Sequence, residues 1–222
     1  MSGASTGSAL DFERSGPADA GTGATVAVLL HGRGSDRHDL QGLRPQLPAD
    51  WLLVTPQAPF AAAAWGYGGG GAWYRYREED RLYVETLEES LAKLDAFYAE
   101  LPGLLGFGPG RLVMGGFSQG GTVSLAYALS RPGAVAAALN LSGFLPASVE
   151  LDESGATPPT TPLFWGHGIG DPAIPFALAE RGRSRLHRAG ARMVARDYRI
   201  GHWIVPDEVQ EAVAMVEETA TS

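Results

Sequence analysis

Residues 116–120 read Gly-Phe-Ser-Gln-Gly, and this pentapeptide separates two segments of different character. Before it, Arg111-Leu112-Val113-Met114-Gly115 is an apolar stretch of strand length; after it, residues 121–129 read as a helix. A strand that must reverse into a helix within a few residues needs a strained turn. Glycines two positions either side of the central residue let the backbone close without a Cβ clash. Ser118 is therefore expected at the tip of that turn with its hydroxyl exposed at the sheet edge. The helix that follows aims its positive end at the same point, which favours negative charge developing on a bound carbonyl oxygen. The pattern points to acyl transfer through a serine nucleophile.

A nucleophilic serine needs a base and an orienting acid, and in the fold built on this turn they follow in the order Ser, Asp or Glu, His. Two histidines lie downstream of a plausible acid, His187 and His202. His187 falls among Arg181, Arg183, Arg185 and Arg188 in a helix-like segment and reads as a solvated face. His202 follows an alternating run and the Gly201 turn, which places it in a loop at a strand end. It is the expected base. Asp171 is the leading acid because it sits in the glycine loop leaving the apolar run 162–167; there it would fix the imidazole tautomer and stabilise the imidazolium. Asp197, inside the next strand, is the rival. Asp152 and Glu153 rank last, having no strand to place them. For the oxyanion, the N–H of Gln119 and an N–H of the turn after residues 24–30, that of Arg33, are the expected donors. His31 precedes Ser118 in the chain and is not proposed as a base.

The set Leu30-His31-Gly32-Arg33-Gly34, Pro56-Gln57-Ala58-Pro59, Gly116-Phe117-Ser118-Gln119-Gly120-Gly121, Gly166-His167-Gly168 with Asp171, Ile174-Pro175, and Tyr198 with Gly201-His202 resembles the carboxylesterase/phospholipase branch of the α/β-hydrolases. That branch includes the acyl-protein thioesterases, and the resemblance runs from about residue 24 to the C-terminus. It implies a serine esterase acting on short to medium acyl esters or thioesters, with Ser118, Asp171 and His202 as the triad. It also implies that Trp73-Tyr74 lies near the acyl pocket. Arg33 departs from the pattern, since many thioesterase-like members are apolar there, and bacterial small-ester hydrolases of the branch look closer.

The chain's 222 residues, 45% of them hydrophobic, suffice for one substantial core. The absence of cysteine excludes disulfides and the Cys-nucleophile, dienelactone-hydrolase-type variant of this fold. A net charge of −8 argues against nucleic acid as a partner. No run approaches a membrane span, and residues 1–23, rich in Gly, Ala and Ser, lack a signal peptide's basic and apolar regions. They are expected to form a flexible leader to a single domain over 24–222. A cytoplasmic enzyme is the expectation, with a small acyl ester as partner, no cofactor, no metal, and a homodimer left open.

Apolar runs at residues 25–30, 51–55, 111–115, 134–140, 162–167 and 192–198 alternate with helical patterns at 85–101, 118–129, 176–189 and 207–218. Alternation of this kind predicts a mostly parallel central sheet with helices on both faces. Leu87, Leu91, Leu94, Tyr98 and Leu101 recur at helical spacing as core, as do Val209, Val213 and Val216, while Thr86 and Glu89 fit a capping box. Residues 66–71 match a Gly-x-Gly-x-x-Gly dinucleotide motif by letter only, since no strand precedes them and no helix follows; a mobile loop is expected. Phe60, Trp65, Trp73 and Tyr74 are expected to wall an acyl site, with Phe144, Ile169 and Trp203 completing it. The proline-bearing segment 144–161 is read as an irregular cover without a separate lid domain. Perhydrolysis or transfer to another acceptor is the alternative chemistry, and a non-catalytic ligand binder of the same fold is the alternative class.

Overall fold

The strand Thr25–Leu30 (β2) carries the sequence TVAVLL, and its alternating side chains serve two different cores. Val26, Val28 and Leu30 point to one face of the sheet; Ala27 and Leu29 point to the other. Such a strand is buried on both sides, which requires helices above and below it. The computed structural model, which describes residues 10–220, shows that arrangement.

In chain order the strands are β1 (Phe12–Ser15), β2, β3 (Leu52–Pro56), β4 (Phe60–Ala61), β5 (Gly71–Ala72), β6 (Tyr76–Glu78), β7 (Arg81–Leu82), β8 (Arg111–Phe117), β9 (Ala137–Leu141), β10 (Leu163–Gly168) and β11 (Met193–Tyr198). The helices are α1 (Val84–Leu105), α2 (Gln119–Ser130), α3 (Phe176–Arg188) and α4 (Pro206–Ala220), with a 3₁₀ turn over Asp39–Gln46. Seven strands form the main sheet in the order β1-β3-β2-β8-β9-β10-β11. All neighbours from β3 to β11 are parallel, and β1 alone runs antiparallel, on the edge. Helices α1, α2 and α3 supply the core on the face of Val26; α4 and the 3₁₀ turn supply the face of Ala27. Helix α2 is buried almost all round because it lies against β8, β9 and β2 at the centre of the sheet.

Three expectations need correction. Residues 12–15 are no leader: they pair with β3 through Phe12↔Pro56 to Ser15↔Leu53, and Phe12 stacks edge-on against Phe97 of α1. The first nine residues of the leader expected over 1–23 lie outside the described residues. The capping box at Thr86 does not form, because α1 starts earlier, with Tyr83 as its cap residue. The Thr86 hydroxyl instead donates to the Tyr83 carbonyl at 2.6 Å and accepts the Arg75 N–H at 3.0 Å, tying the helix start to the preceding hairpin. Residues 60–72 form a small β4–β5 hairpin around a 3₁₀ turn, which gives the glycine run a defined course.

The cover 144–161 contains no helix or strand and is strapped onto α3. Arg185 donates to the Val149 carbonyl at 2.8 Å and to Glu153 at 2.9 Å. No described helix is long and apolar enough to cross a membrane.

The tightest packing constraint joins β2, β8 and α2. A Cβ on Gly116 would lie 2.6 Å from the Leu30 carbonyl oxygen, and one on Gly120 would overlap the same carbonyl outright. Both neighbours are backbone and cannot swing away. Gly120→Ala should therefore push α2 off β2 and lower unfolding stability by about 1–3 kcal/mol. An unfolding free energy from urea titration within ~0.5 kcal/mol of wild type, at unchanged m-value, would show that the contact is not tight.

Candidate active site

Every parallel strand that contributes to the site does so from its carboxyl end, where the loops of an α/β sheet gather. The turn after β2 brings Arg33, the β8–α2 junction brings Ser118 and Gln119, the loop after β10 brings Asp171, and the loop after β11 brings His202. Pairing of β10 with β11 carries on into their loops: the Ile169 N–H donates to the Tyr198 carbonyl at 2.9 Å and the Gly170 N–H to the Ile200 carbonyl at 3.0 Å. Asp171 and His202 are thus neighbours by register.

Ser118 has φ 55° and ψ −114°, a conformation L-residues seldom adopt. Its N–H donates to the Leu141 carbonyl at 2.8 Å and its carbonyl accepts the Thr122 N–H at 3.0 Å, so both backbone groups are held. The hydroxyl then meets His202: Oγ lies 3.0 Å from Nε2. On the far side of the ring, Nδ1 lies 2.7 Å from Asp171 Oδ2. Asp171 is buried, and its other oxygen accepts the N–H groups of Ala173 at 2.8 Å and Ile174 at 2.9 Å. These bonds fix the carboxylate so that it accepts a hydrogen bond from Nδ1–H, which leaves Nε2 as the acceptor facing Ser118. The Phe117 ring packs on the imidazole with centroids 4.7 Å apart.

The rival residues fall elsewhere. Asp197 is exposed on β11 and paired with Arg183; Asp152 is occupied by Ser154 and Thr157, and Glu153 by Arg185 and Arg188; His187 is exposed.

Two buried histidines brace the loops. His31 donates from Nδ1 to the Gly32 carbonyl at 2.8 Å and accepts the Ala58 N–H at Nε2 at 3.1 Å, which joins the β2 turn to the segment after β3. His167 donates from Nε2 to the Ile174 carbonyl at 2.9 Å, holding the Asp171 loop closed. Burial lowers both imidazoles from their ordinary value of 6.5, outweighing these carbonyl bonds, so each is neutral.

The Gln119 side chain does a job that the sequence reading missed. Its Oε1 accepts the Trp73 N–H at 3.0 Å and its Nε2 donates to the Tyr74 carbonyl at 2.9 Å, clamping that segment onto the start of α2. As the first residue of α2, Gln119 has a backbone N–H without an intrahelical acceptor. A cleft of about 260 Å³ opens beside Ser118, walled by Arg33, Tyr74, Tyr76, Phe117, Phe144 and Ile174.

Of the expected pocket residues, Tyr74 and Phe144 line this cleft. Trp73 does not: it is fully buried, with its indole N–H donating to the His31 carbonyl at 2.9 Å. Phe60 and Trp65 pack on each other at 4.8 Å within the β4–β5 hairpin, away from the cleft wall. Ile169 and Trp203 are about half exposed and border a separate open concavity on the outer side of the Asp171 and His202 loops. Tyr76 and Ile174 were not foreseen as wall residues. Ile174 had a signal, since it sits three residues beyond the acid. The described residues hold no group of three or more His, Asp or Glu side chains able to bind a metal.

A family model described as Phospholipase/Carboxylesterase matches residues 18–220. Acyl-protein thioesterase 1 of Kluyveromyces lactis is 34% identical over 163 residues, covering 68% of this chain and 71% of that protein. Acyl-protein thioesterase 1 of Saccharomyces cerevisiae is 27% identical over 123 residues, so the match spans about half of each, 53% of both. Among solved structures, the crystal structure of esterase PE8 superposes with a TM-score of 0.75 at 28% identity, over 95% of this chain and 98% of that one. The α/β-hydrolase fold is common to them.

Beneath the His202 loop, Glu208 near the start of α4 is fully buried against Gly166 of β10, and neither carboxylate oxygen has a hydrogen-bond partner among the described residues. Burial raises it from 4.5 to about 7. A raised folded-state value means that its contribution to stability is whole below 4.5 and is lost as pH rises through 7. His31 and His167 act oppositely, their contribution being whole above 6.5 and falling below it. Glu208→Gln removes only the first effect. Between pH 5 and pH 8 the difference in unfolding free energy, variant against wild type, should move in the variant's favour by on the order of 1–3 kcal/mol. An equal difference at both pH values would show that Glu208 is not held neutral.

Proposed function

Because the chain belongs to the phospholipase/carboxylesterase family, matched over residues 18–220, we propose that it hydrolyses carboxylic esters through an acyl-enzyme on Ser118. The observation that carries this reading is the unbroken relay from Ser118 Oγ to His202 Nε2 at 3.0 Å and from His202 Nδ1 to Asp171 Oδ2 at 2.7 Å. A ligand-binding protein of the same fold has no use for a base so aligned on a strained serine.

In the reaction, Ser118 Oγ bonds to the acyl carbon as His202 Nε2 takes its proton. Asp171 stabilises the imidazolium without taking the proton itself. The carbonyl oxygen becomes an oxyanion received by the N–H of Gln119, at the positive end of α2, and by the N–H of Arg33. Collapse breaks the bond to the leaving alcohol or thiol, which takes its proton from His202. A water activated by the same imidazole then attacks the acyl carbon, releases the acid and restores Ser118. Relatives named as acyl-protein thioesterases support thioesters as a second substrate class.

The cleft of about 260 Å³, walled by Tyr74, Tyr76, Phe144 and Ile174, supports short to medium acyl groups. Each methylene buried there contributes about 0.8 kcal/mol, roughly fourfold in kcat/KM. In a nitrophenyl-ester series from about two to sixteen carbons, kcat/KM should rise from acetate and then level or fall at medium length. A value still climbing at the longest chains would contradict the small pocket.

Substitutions separate the roles. Ser118→Ala should reduce kcat by on the order of a million-fold, leaving only what binding and the oxyanion donors supply. Asp171→Asn should reduce it by about four orders of magnitude at neutral pH, because the asparagine no longer stabilises the imidazolium. Asp197→Asn should stay within a few-fold of wild type. A larger loss from Asp197→Asn than from Asp171→Asn would reverse the assignment of the acid.

A further inference from the structure

Hydrolysis of a neutral ester leaves one feature of the cleft without a use. Arg33 shares the cavity wall with Ser118, Gln119 and His202, and its side chain is exposed where Tyr74 and Phe144 are buried. The guanidinium carbon stands 4.6 Å from the centroid of the Tyr67 ring. That ring is itself anchored: the Tyr67 hydroxyl accepts the Tyr76 N–H at 2.8 Å, and Trp65 meets it edge-on at 6.0 Å. The guanidinium, though exposed, is therefore stacked on an anchored ring at the rim of the cleft.

Its charge is left uncompensated. Arg37, Arg183, Arg185 and Arg188 each have an Asp or Glu partner, whereas among the described residues no carboxylate lies within ion-pair distance of Arg33. The acidic side chains nearest in sequence to Tyr76 are engaged elsewhere, Glu78 by Arg81 and both Glu79 and Asp80 by Arg181. A ring face attracts a cation without neutralising it, and a guanidinium does not deprotonate near neutral pH. The cleft thus presents a fixed positive fork in a chain whose net charge is −8.

Resting on the hydrolase reading above, we propose that Arg33 makes this cleft selective for esters bearing an anionic group, a carboxylate or a phosphate, close to the scissile carbonyl. The planar fork matches either group bidentately, and walls of aromatic side chains reduce the solvent screening of that pair. Location sets the distance. The same residue offers its N–H to the carbonyl oxygen, so the anion sits within one arginine side-chain length of that oxygen. A short dicarboxylic half-ester satisfies this from the acyl side; an acidic alcohol or thiol satisfies it from the leaving-group side.

Two pairs of substrates distinguish these sources. On the acyl side, mono-4-nitrophenyl glutarate is compared with 4-nitrophenyl pentanoate; on the leaving-group side, 4-carboxyphenyl butyrate is compared with 4-carbamoylphenyl butyrate. Each rate is corrected for uncatalysed hydrolysis, and the ratio of kcat/KM, charged over neutral, is taken within a single enzyme so that changes common to both esters cancel. Wild type should favour the charged ester by about tenfold or more in one pair, and the pair that responds identifies the side. The ratio should fall to about one or below in Arg33→Gln, persist in part in Arg33→Lys, and shrink with added salt. A wild-type ratio near one in both pairs, or a preference that survives Arg33→Gln, would overturn the inference while leaving the hydrolase reading intact. Absence of turnover with all four esters would overturn that reading, and this inference with it.

Discussion

The structure depends on holding one residue, Ser118, in a backbone conformation that a free chain avoids, with φ 55° and ψ −114°. Such a conformation costs of order 1–3 kcal/mol and persists only where the surroundings over-determine it. Here they do. Strand β8 and helix α2 meet β2 so closely that Gly116 and Gly120 have no room for a Cβ, and the Ser118 N–H is spent on the Leu141 carbonyl of β9. Three neighbouring parallel strands therefore combine to set one turn, and the serine hydroxyl is left at the carboxyl edge of the sheet with the N-terminus of α2 behind it.

Around that turn the buried polar groups act as braces. His31 joins two loops at the strand ends, His167 closes the Asp171 loop, and the Gln119 amide fastens Trp73 and Tyr74 to α2. Each bonds backbone groups of a neighbouring segment and so ties the loops to the strands they leave. These ties bring Asp171, His202 and Ser118 within hydrogen-bonding distance of one another. A separate bond, from the Tyr76 N–H to the Tyr67 hydroxyl, ties together the part of the wall on which Arg33 stacks.

How legible this was in the sequence varied with the kind of constraint. Strands buried on both faces announce themselves as apolar runs, as at β2, β3, β8, β9 and β10, and the edge strand β11 as an alternating one; all six fall within a few residues of where they are expected. Strand β1 escaped because Phe-Glu-Arg-Ser is a short, polar edge strand, paired on one side only, and its tie to the fold is the packing of Phe12 on Phe97. Ser118, Asp171 and His202 were legible because each sits where a strand pattern stops at a glycine. The pocket wall was not, because whether an aromatic in a loop turns inward is decided by contacts far along the chain: Trp73 is drawn into the core by the His31 carbonyl, while Trp203 is left half exposed by the course of its loop. Nor did residue type reveal the side-chain clamp of Gln119, which depends on where Trp73 and Tyr74 fall in the fold.

The central claim is that the strained serine is the nucleophile, and covalent capture tests it most directly. Reaction of the folded protein with a fluorophosphonate, followed by intact-mass measurement and peptide mapping, should give one adduct per chain, on Ser118, and none after the protein is unfolded in urea. An adduct on another serine, or none under conditions where the protein turns over an activated ester, would contradict the account.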